Sequence, residues 1–150
     1  MYKFSVTSDT YIRSCHKDLQ IVAYAALLDD NCPYDFGITS GFRNSDAQFK
    51  LFKKGREYKN GKWVIKNKGQ VVTYIDGYTR KSKHNEYPAM AFDIFVSING
   101  AATWNIKYYK ALGKHILNIA EKLFKEGKIR SMVTWGGNWT KFRDYPHFQI

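Results

Sequence analysis

One carboxylate in the middle of an apolar run constrains this chain more than any other feature. Ala89 to Ile98 reads as a buried strand, with Ala91, Ile94, Val96 and Ile98 among its apolar members, and Asp93 falls inside it between Phe92 and Ile94. An isolated buried carboxylate is very costly, so Asp93 must be paired, hydrogen-bonded or bound to a metal. The fold has to bring that partner from elsewhere along the chain.

The chain has 150 residues, the length of one ordinary domain, and shows no repeat, linker or low-complexity stretch. A single unit over residues 1–150 is expected. Leu19, Val22, Ala23, Ala26 and Leu27 recur at helical spacing and predict a helix from Lys17 to Leu28, ended by Asp29, Asp30, Asn31 and Pro33. A short strand, Phe36 to Thr39, leads into Ser40-Gly41-Phe42-Arg43. Ser45 with Gln48 reads as a capping box opening a second helix, and Gly55 as its stop. Arg56 to Arg80 is polar and turn-rich, and Val71 to Ile75 is expected to pair back on Trp63-Val64-Ile65 as a hairpin. A loop of this kind often covers a substrate.

Tyr109, Leu112, Ile116, Ile119 and Leu123 mark a long amphipathic helix from Asn105 to Glu126, closed by Gly127. Met132 to Trp135 and His147 to Ile150 read as strands on either side of a Gly136-Gly137 turn. The order predicts an α+β fold, a small antiparallel sheet flanked by helices.

Lys and Arg total 24 against 13 Asp and Glu, a net charge of +11. Such a field attracts polyanions: nucleic acid, an anionic membrane or an anionic cell-envelope polymer. It also serves plain solubility. No apolar run approaches the roughly 20 residues that span a bilayer. Met1 to Thr10 has no hydrophobic signal core, so synthesis in a cytoplasm and later release by another agent are expected. Cys15 and Cys32 form no metal-type pair and read as free thiols.

Of four histidines, His115 lies within the long helix and reads as structural, and His16 as a cap or a surface residue. His84 and His147 are the candidate partners of Asp93: two imidazoles and one carboxylate suit zinc, with a fourth position open to water. By spacing alone the set is weak, since such residues also occur together by chance.

The segments Phe36-Gly37-Ile38-Thr39-Ser40-Gly41-Phe42-Arg43, Gln48 to Arg56, Asp76-Gly77, Ser82-Lys83-His84, Ala91-Phe92-Asp93-Ile94, Trp135-Gly136-Gly137-Asn138-Trp139 and Asp144-Tyr145-Pro146-His147-Phe148 stand in order from Leu19 to Ile150. Together they resemble the zinc D-alanyl-D-alanine carboxypeptidases and phage L-alanyl-D-glutamate endopeptidases. The resemblance implies the zinc DD-peptidase or hedgehog-like fold. It implies Zn²⁺ held by His84, Asp93 and His147, and Asp144 as the acid and base of catalysis. It implies Arg43 as a grip on substrate and Ser82 beside it. The bland alternatives are a turn carboxylate for Asp144, an ion pair for Arg43 and a loop cap for Ser82.

Two departures touch substrate detail. Tyr87-Pro88-Ala89 stands where many relatives have Gly in a shorter stretch, and Asn138 stands where an acidic residue is frequent. The implied partner is the stem peptide of bacterial peptidoglycan, cut at the L-alanyl-D-glutamate bond, with removal of a terminal D-alanine as the alternative. A compact monomeric phage endolysin fits, made in the host cytoplasm and drawn to anionic envelope polymers by its charge. The rival is a non-enzymatic module binding nucleic acid, since basic residues interleaved with aromatics hold single strands. The chain shows no helix-turn-helix, zinc finger or RNA-binding aromatic motif and no carboxylate-rich nuclease cluster.

Overall fold

The computed structural model describes residues 1–150. In chain order the elements are α1 (Val6–Arg13), α2 (Lys17–Leu28), β1 (Asp35–Ser40), α3 (Ser45–Phe52), β2 (Arg56–Lys59), β3 (Lys62–Ile65), β4 (Ala91–Ile98), β5 (Ala101–Thr103), α4 (Ile106–Lys125), β6 (Thr134–Trp135) and β7 (His147–Gln149). The main sheet is antiparallel, in the order β1-β4-β7-β6, with β5 pairing along the Val96–Ile98 end of β4. The α+β expectation holds.

Alternation along β4 decides the architecture. Phe92, Ile94 and Val96 point to one face and are fully buried, together with Phe36 and Ile38 of β1 and Phe148 of β7. Phe92 and Phe148 stack with ring centroids 5.3 Å apart. The apolar stripes of α2 (Leu19, Val22, Ala23, Ala26, Leu27) and α4 (Tyr109, Leu112, Ile116, Leu123) cover this face, making one contiguous core. Burying each Leu, Ile or Phe contributes about 1.5–3 kcal/mol. The other face of β4, where Asp93 lies, is left for the cleft.

Local chemistry fixes the helix ends. His16 caps α2, its Nδ1 accepting from the Asp18 N–H at 3.2 Å. Asp18 in turn accepts from the N–H groups of Arg130 and Ser131, tying the segment after α4 to the start of α2. His115 holds the Ala26 carbonyl at 2.9 Å, a structural role. Both cysteines are free.

Two expectations need correction, and one helix went unread. The cap of α3 is Asn44, whose side chain accepts from the Ala47 N–H at 2.8 Å, while Ser45 is already helical. The partner of Lys62–Ile65 is Arg56–Lys59, not Val71–Ile75. Asn60 and Gly61 both have positive φ (51° and 77°), which makes a tight two-residue turn that closes the strand immediately before it. Helix α1 was not anticipated, because only Ser8 and Ile12 of its eight residues are buried and no apolar stripe announces it.

Candidate metal centre

The register of three strands assembles the floor of the cleft. Asp93 pairs with His147 of β7 on one side and with Ser40 of β1 on the other. A bulge at Thr39 sets Ser40 opposite Asp93, and bulges of this kind re-aim side chains beside sites. His84 arrives from outside the sheet on a short 3₁₀ turn, Lys83–Asn85. Ser82 caps that turn, its Oγ accepting from the His84 N–H at 3.1 Å. The Arg43 N–H donates to the His84 carbonyl, and the Asn85 amide donates to the Arg43 carbonyl, each at 2.8 Å. The turn is thereby locked to the β1–α3 loop.

Two ring nitrogens and both oxygens of one carboxylate converge. His84 Nε2 lies 3.3 Å from His147 Nδ1, His147 Nδ1 lies 3.0 Å from Asp93 Oδ1, and Asp93 Oδ2 lies 3.2 Å from His84 Nε2. A tetrahedral zinc with bonds of about 2.0–2.1 Å has ligand-to-ligand edges of about 3.3 Å, which these separations match. The outer nitrogens settle the tautomers. His84 Nδ1 lies 2.8 Å from the Gly41 carbonyl oxygen, which only accepts, so Nδ1 carries the hydrogen. His147 Nε2 donates to Gln149 Oε1 at 2.8 Å. With hydrogens on the outer nitrogens, the facing nitrogens present lone pairs beside a carboxylate, a donor set for a cation; without a cation they lie within hydrogen-bond distance of Asp93. Each ring is oriented by its far nitrogen, as metal-binding imidazoles usually are.

Gly41 has to be glycine for this. A Cβ there would meet the Tyr11 carbonyl oxygen at 2.2 Å and Ser14 Oγ at 2.5 Å.

The electrostatics agree. Burial alone would raise Asp93, but hydrogen bonds from His147 and His84 overcome it and hold the carboxyl well below its usual range. Burial would depress His147, yet its contact with Asp93 outweighs that and raises it.

Arg43 donates to Gln48 Oε1 and to Ser40 Oγ, both at 2.8 Å, and lies 3.5 Å from Asp93 Oδ2. It is thus an ion-pair partner of Asp93 and a wall of the cleft at once. The cleft holds about 420 Å³, and its lining includes Ser82, Lys83, Trp139 and Asp144. Asp144 keeps contact with solvent at the rim while protein crowds its inner side. That crowding and the charge of Asp93 raise its pKa. Its position depends on Gly136, where a Cβ would come within 2.3 Å of the Asp144 carbonyl oxygen. All six residues singled out in the sequence therefore border one cavity.

Sequence reasoning missed Gln149 and misread Gln48. Gln149 stands two residues after His147 on a strand, hence on the same face, and that spacing was a usable signal. Gln48 was taken for a cap residue. It is 1% exposed and joins Arg43 to the Ile75 carbonyl.

Fold and donor set together define the class of metallopeptidase domains with a small antiparallel sheet. Residues 76–150 match the family described as D-alanyl-D-alanine carboxypeptidase, and the chain belongs to that family. The chain is similar to the peptidoglycan L-alanyl-D-glutamate endopeptidase CwlK of Bacillus subtilis (strain 168). The two are 32% identical over 121 residues, which is 77% of this chain and 60% of that protein, so the match spans less than two thirds of its relative. The fold is shared with the Serratia marcescens L-Ala D-Glu endopeptidase ChiX, at a TM-score of 0.65 and 22% identity over 100% of this chain and 90% of that one.

Proposed function

We propose that the chain is a zinc-dependent endopeptidase that hydrolyses the stem peptide of peptidoglycan at the L-alanyl-D-glutamate bond. The observation that carries this reading is the convergence of His84 Nε2, His147 Nδ1 and the two carboxylate oxygens of Asp93, at separations of 3.0–3.3 Å, on the floor of a cleft bordered by Asp144. The bond is inferred from the similarity to CwlK, named for that activity. Removal of a terminal D-alanine is the second reading, favoured by the family's description.

His84, Asp93 and His147 would hold the ion, which when bound supplies Lewis acidity toward water and a carbonyl oxygen. The chain's own groups supply the rest. Asp144 takes a proton from the attacking water on its carboxylate and returns it to the leaving amine nitrogen. Its raised pKa suits a group that must both accept and give a proton. Arg43, held rigid by Gln48 and Ser40, presents fixed positive charge toward the oxygen that becomes anionic. Ser82 supports His84 through the backbone and borders the same cavity.

A phage-lysin setting, with the protein held in the host cytoplasm before release, rests on the motif resemblance. The charge of +11 supports attraction to anionic envelope polymers.

Purified protein is incubated with isolated peptidoglycan, with zinc and with chelator, and the fragments are read by mass spectrometry. New L-alanine C-termini and D-glutamate N-termini that chelator abolishes are expected. Release of free D-alanine alone replaces the first reading with the second, and intact wall peptides refute both.

A further inference from the structure

The positive charge is not spread over the molecule. Between Lys50 and Lys83 lie eleven of the 24 basic residues and two of the 13 acidic ones, a net +9 of the whole chain's +11. This stretch comprises the end of α3, the β2–β3 hairpin and the loop that returns to His84. It forms one wall of the cleft through Lys54, Lys81 and Lys83. Beyond the cleft, Lys59, Lys62 and Lys68 are exposed.

The two acidic groups neutralise little of this. Glu57 lies 3.5 Å from Lys66. Asp76 is consumed within its own loop, accepting from the N–H groups of Tyr78, Thr79 and Arg80 and from the Thr79 hydroxyl. A net charge of +9 on one small lobe is self-repulsive, and a bound polyanion relieves it more effectively than dispersed salt.

The larger aromatics of the lobe are taken up in packing and are not offered to a nucleic acid. Single strands are held by bases stacking on open rings. Here Phe52 and Trp63 are engaged with other rings and with cations, while Tyr58, Tyr74 and Tyr78 stay exposed. Phe49 meets Trp63 edge-on at 5.8 Å, and Tyr58 packs on Trp63 at 5.4 Å. The Arg56 guanidinium covers Phe52 at 4.0 Å. The charge continues along the wall of the cleft, so the polyanion it fits best is one carried on the material the cleft is proposed to cut, and the exposed tyrosines make a nucleic acid the control.

We propose that the Lys50–Lys83 lobe is a docking surface for an anionic phosphodiester polymer carried on peptidoglycan, holding the cleft against its substrate. The partner setting rests on the proposed function, but binding is measured without hydrolysis, so either idea can fail alone.

The probe is soluble poly(glycerol phosphate), with oligothymidylate of equal charge in parallel, followed by fluorescence anisotropy across a salt series. The variants are a lobe triple (Lys59→Gln, Lys62→Gln, Lys68→Gln) and an α4 triple of equal charge change (Lys110→Gln, Lys114→Gln, Lys122→Gln). Wild type is expected to bind poly(glycerol phosphate) more tightly than oligothymidylate. Each cation removed from contact with a flexible polyanion lowers the logarithmic salt slope by about 0.7, so the lobe triple should lose about 2 units and the α4 triple none. Equal losses in the two triples overturn the proposal, because net charge alone then explains binding. Tighter binding of oligothymidylate overturns it in favour of nucleic acid, and no binding at low salt leaves the lobe a solubilising surface. The wild-type comparison stands whether or not either triple folds.

Discussion

The amide oxygen of Gln149 lies 2.8 Å from His147 Nε2 and so determines which nitrogen of that ring faces Asp93. Without it, either tautomer is open to His147, and only one presents Nδ1 to a metal. Gln149→Leu is expected to weaken zinc binding about ten- to a hundredfold, the usual effect of losing such a partner. Competition against a chromophoric chelator measures it. Gln149→Glu keeps the acceptor and should restore most of the affinity. Unchanged affinity in the leucine variant would show that the ring is oriented by something else.

Metal should stabilise the protein as a whole. The three acceptors repel one another unless a cation or a proton lies between them, and an ion that binds only the folded chain adds about 4 kcal/mol at a thousand times its Kd. For a chain of this size that corresponds to roughly 10 °C in Tm. Calorimetry with zinc and with chelator should show the difference, and Asp93→Asn should abolish it. A melting curve indifferent to zinc would remove the basis for the centre.

Asp144→Asn is expected to keep the metal and lose turnover by about 10²–10⁴-fold, the range for an acid–base group. Zinc content and peptide release are measured on the same sample. Loss of both together would make Asp144 a supporting residue of the centre instead.

Trp135 is wedged between two glycines. A Cβ on Gly113 of α4 or on Gly137 would come within 2.4 Å or 2.2 Å of its ring. Its indole N–H donates to the Tyr145 carbonyl at 2.7 Å, next to Asp144. Alanine is worth about 1 kcal/mol more than glycine inside a helix, yet Gly113→Ala is expected to destabilise, because overpacking typically costs about 1–3 kcal/mol. Urea unfolding gives the sign. A stabilised variant would show that α4 can retreat from the tryptophan.

Asp76 gives a pH signature away from the centre. The Thr79 hydroxyl, helped by three backbone N–H groups, lowers its carboxyl to about 2. Its unfolded value is about 3.9, so the stabilisation is present in full above that pH and is lost as pH falls through about 2. The difference in unfolding free energy between wild type and Asp76→Asn should hold level from pH 7 to 5 and shrink toward pH 2. A difference that stays level down to pH 2 would contradict it.

Much of this was legible beforehand. The helices of the core announce themselves because their apolar stripes are long, and α2 falls on Lys17–Leu28 as read. Asp93 was conspicuous because a carboxylate between Phe92 and Ile94 breaks a pattern. The misreadings share a cause, which is short-range signals that several local structures satisfy equally. Asn44 and Ser45 both cap helices, and only the backbone chooses between them. Val71–Ile75 looks as strand-like as Arg56–Lys59, but the Asn60-Gly61 turn reaches only the latter. Gln48 acts through a partner 5 residues away, where a side-chain amide leaves no pattern in the sequence, whereas the two-residue spacing of Gln149 from His147 was there to be read.

The bulge at Thr39 and the paired strands beside it make the bottom of the cavity stiff, whereas the segment facing them from Lys66 to Lys81 has almost no strand ladder of its own. The two sides meet through one side chain, Gln48, which holds the Ile75 carbonyl with one end and Arg43 with the other. Exchange of residues away from that link reshapes the opening while the floor keeps its place.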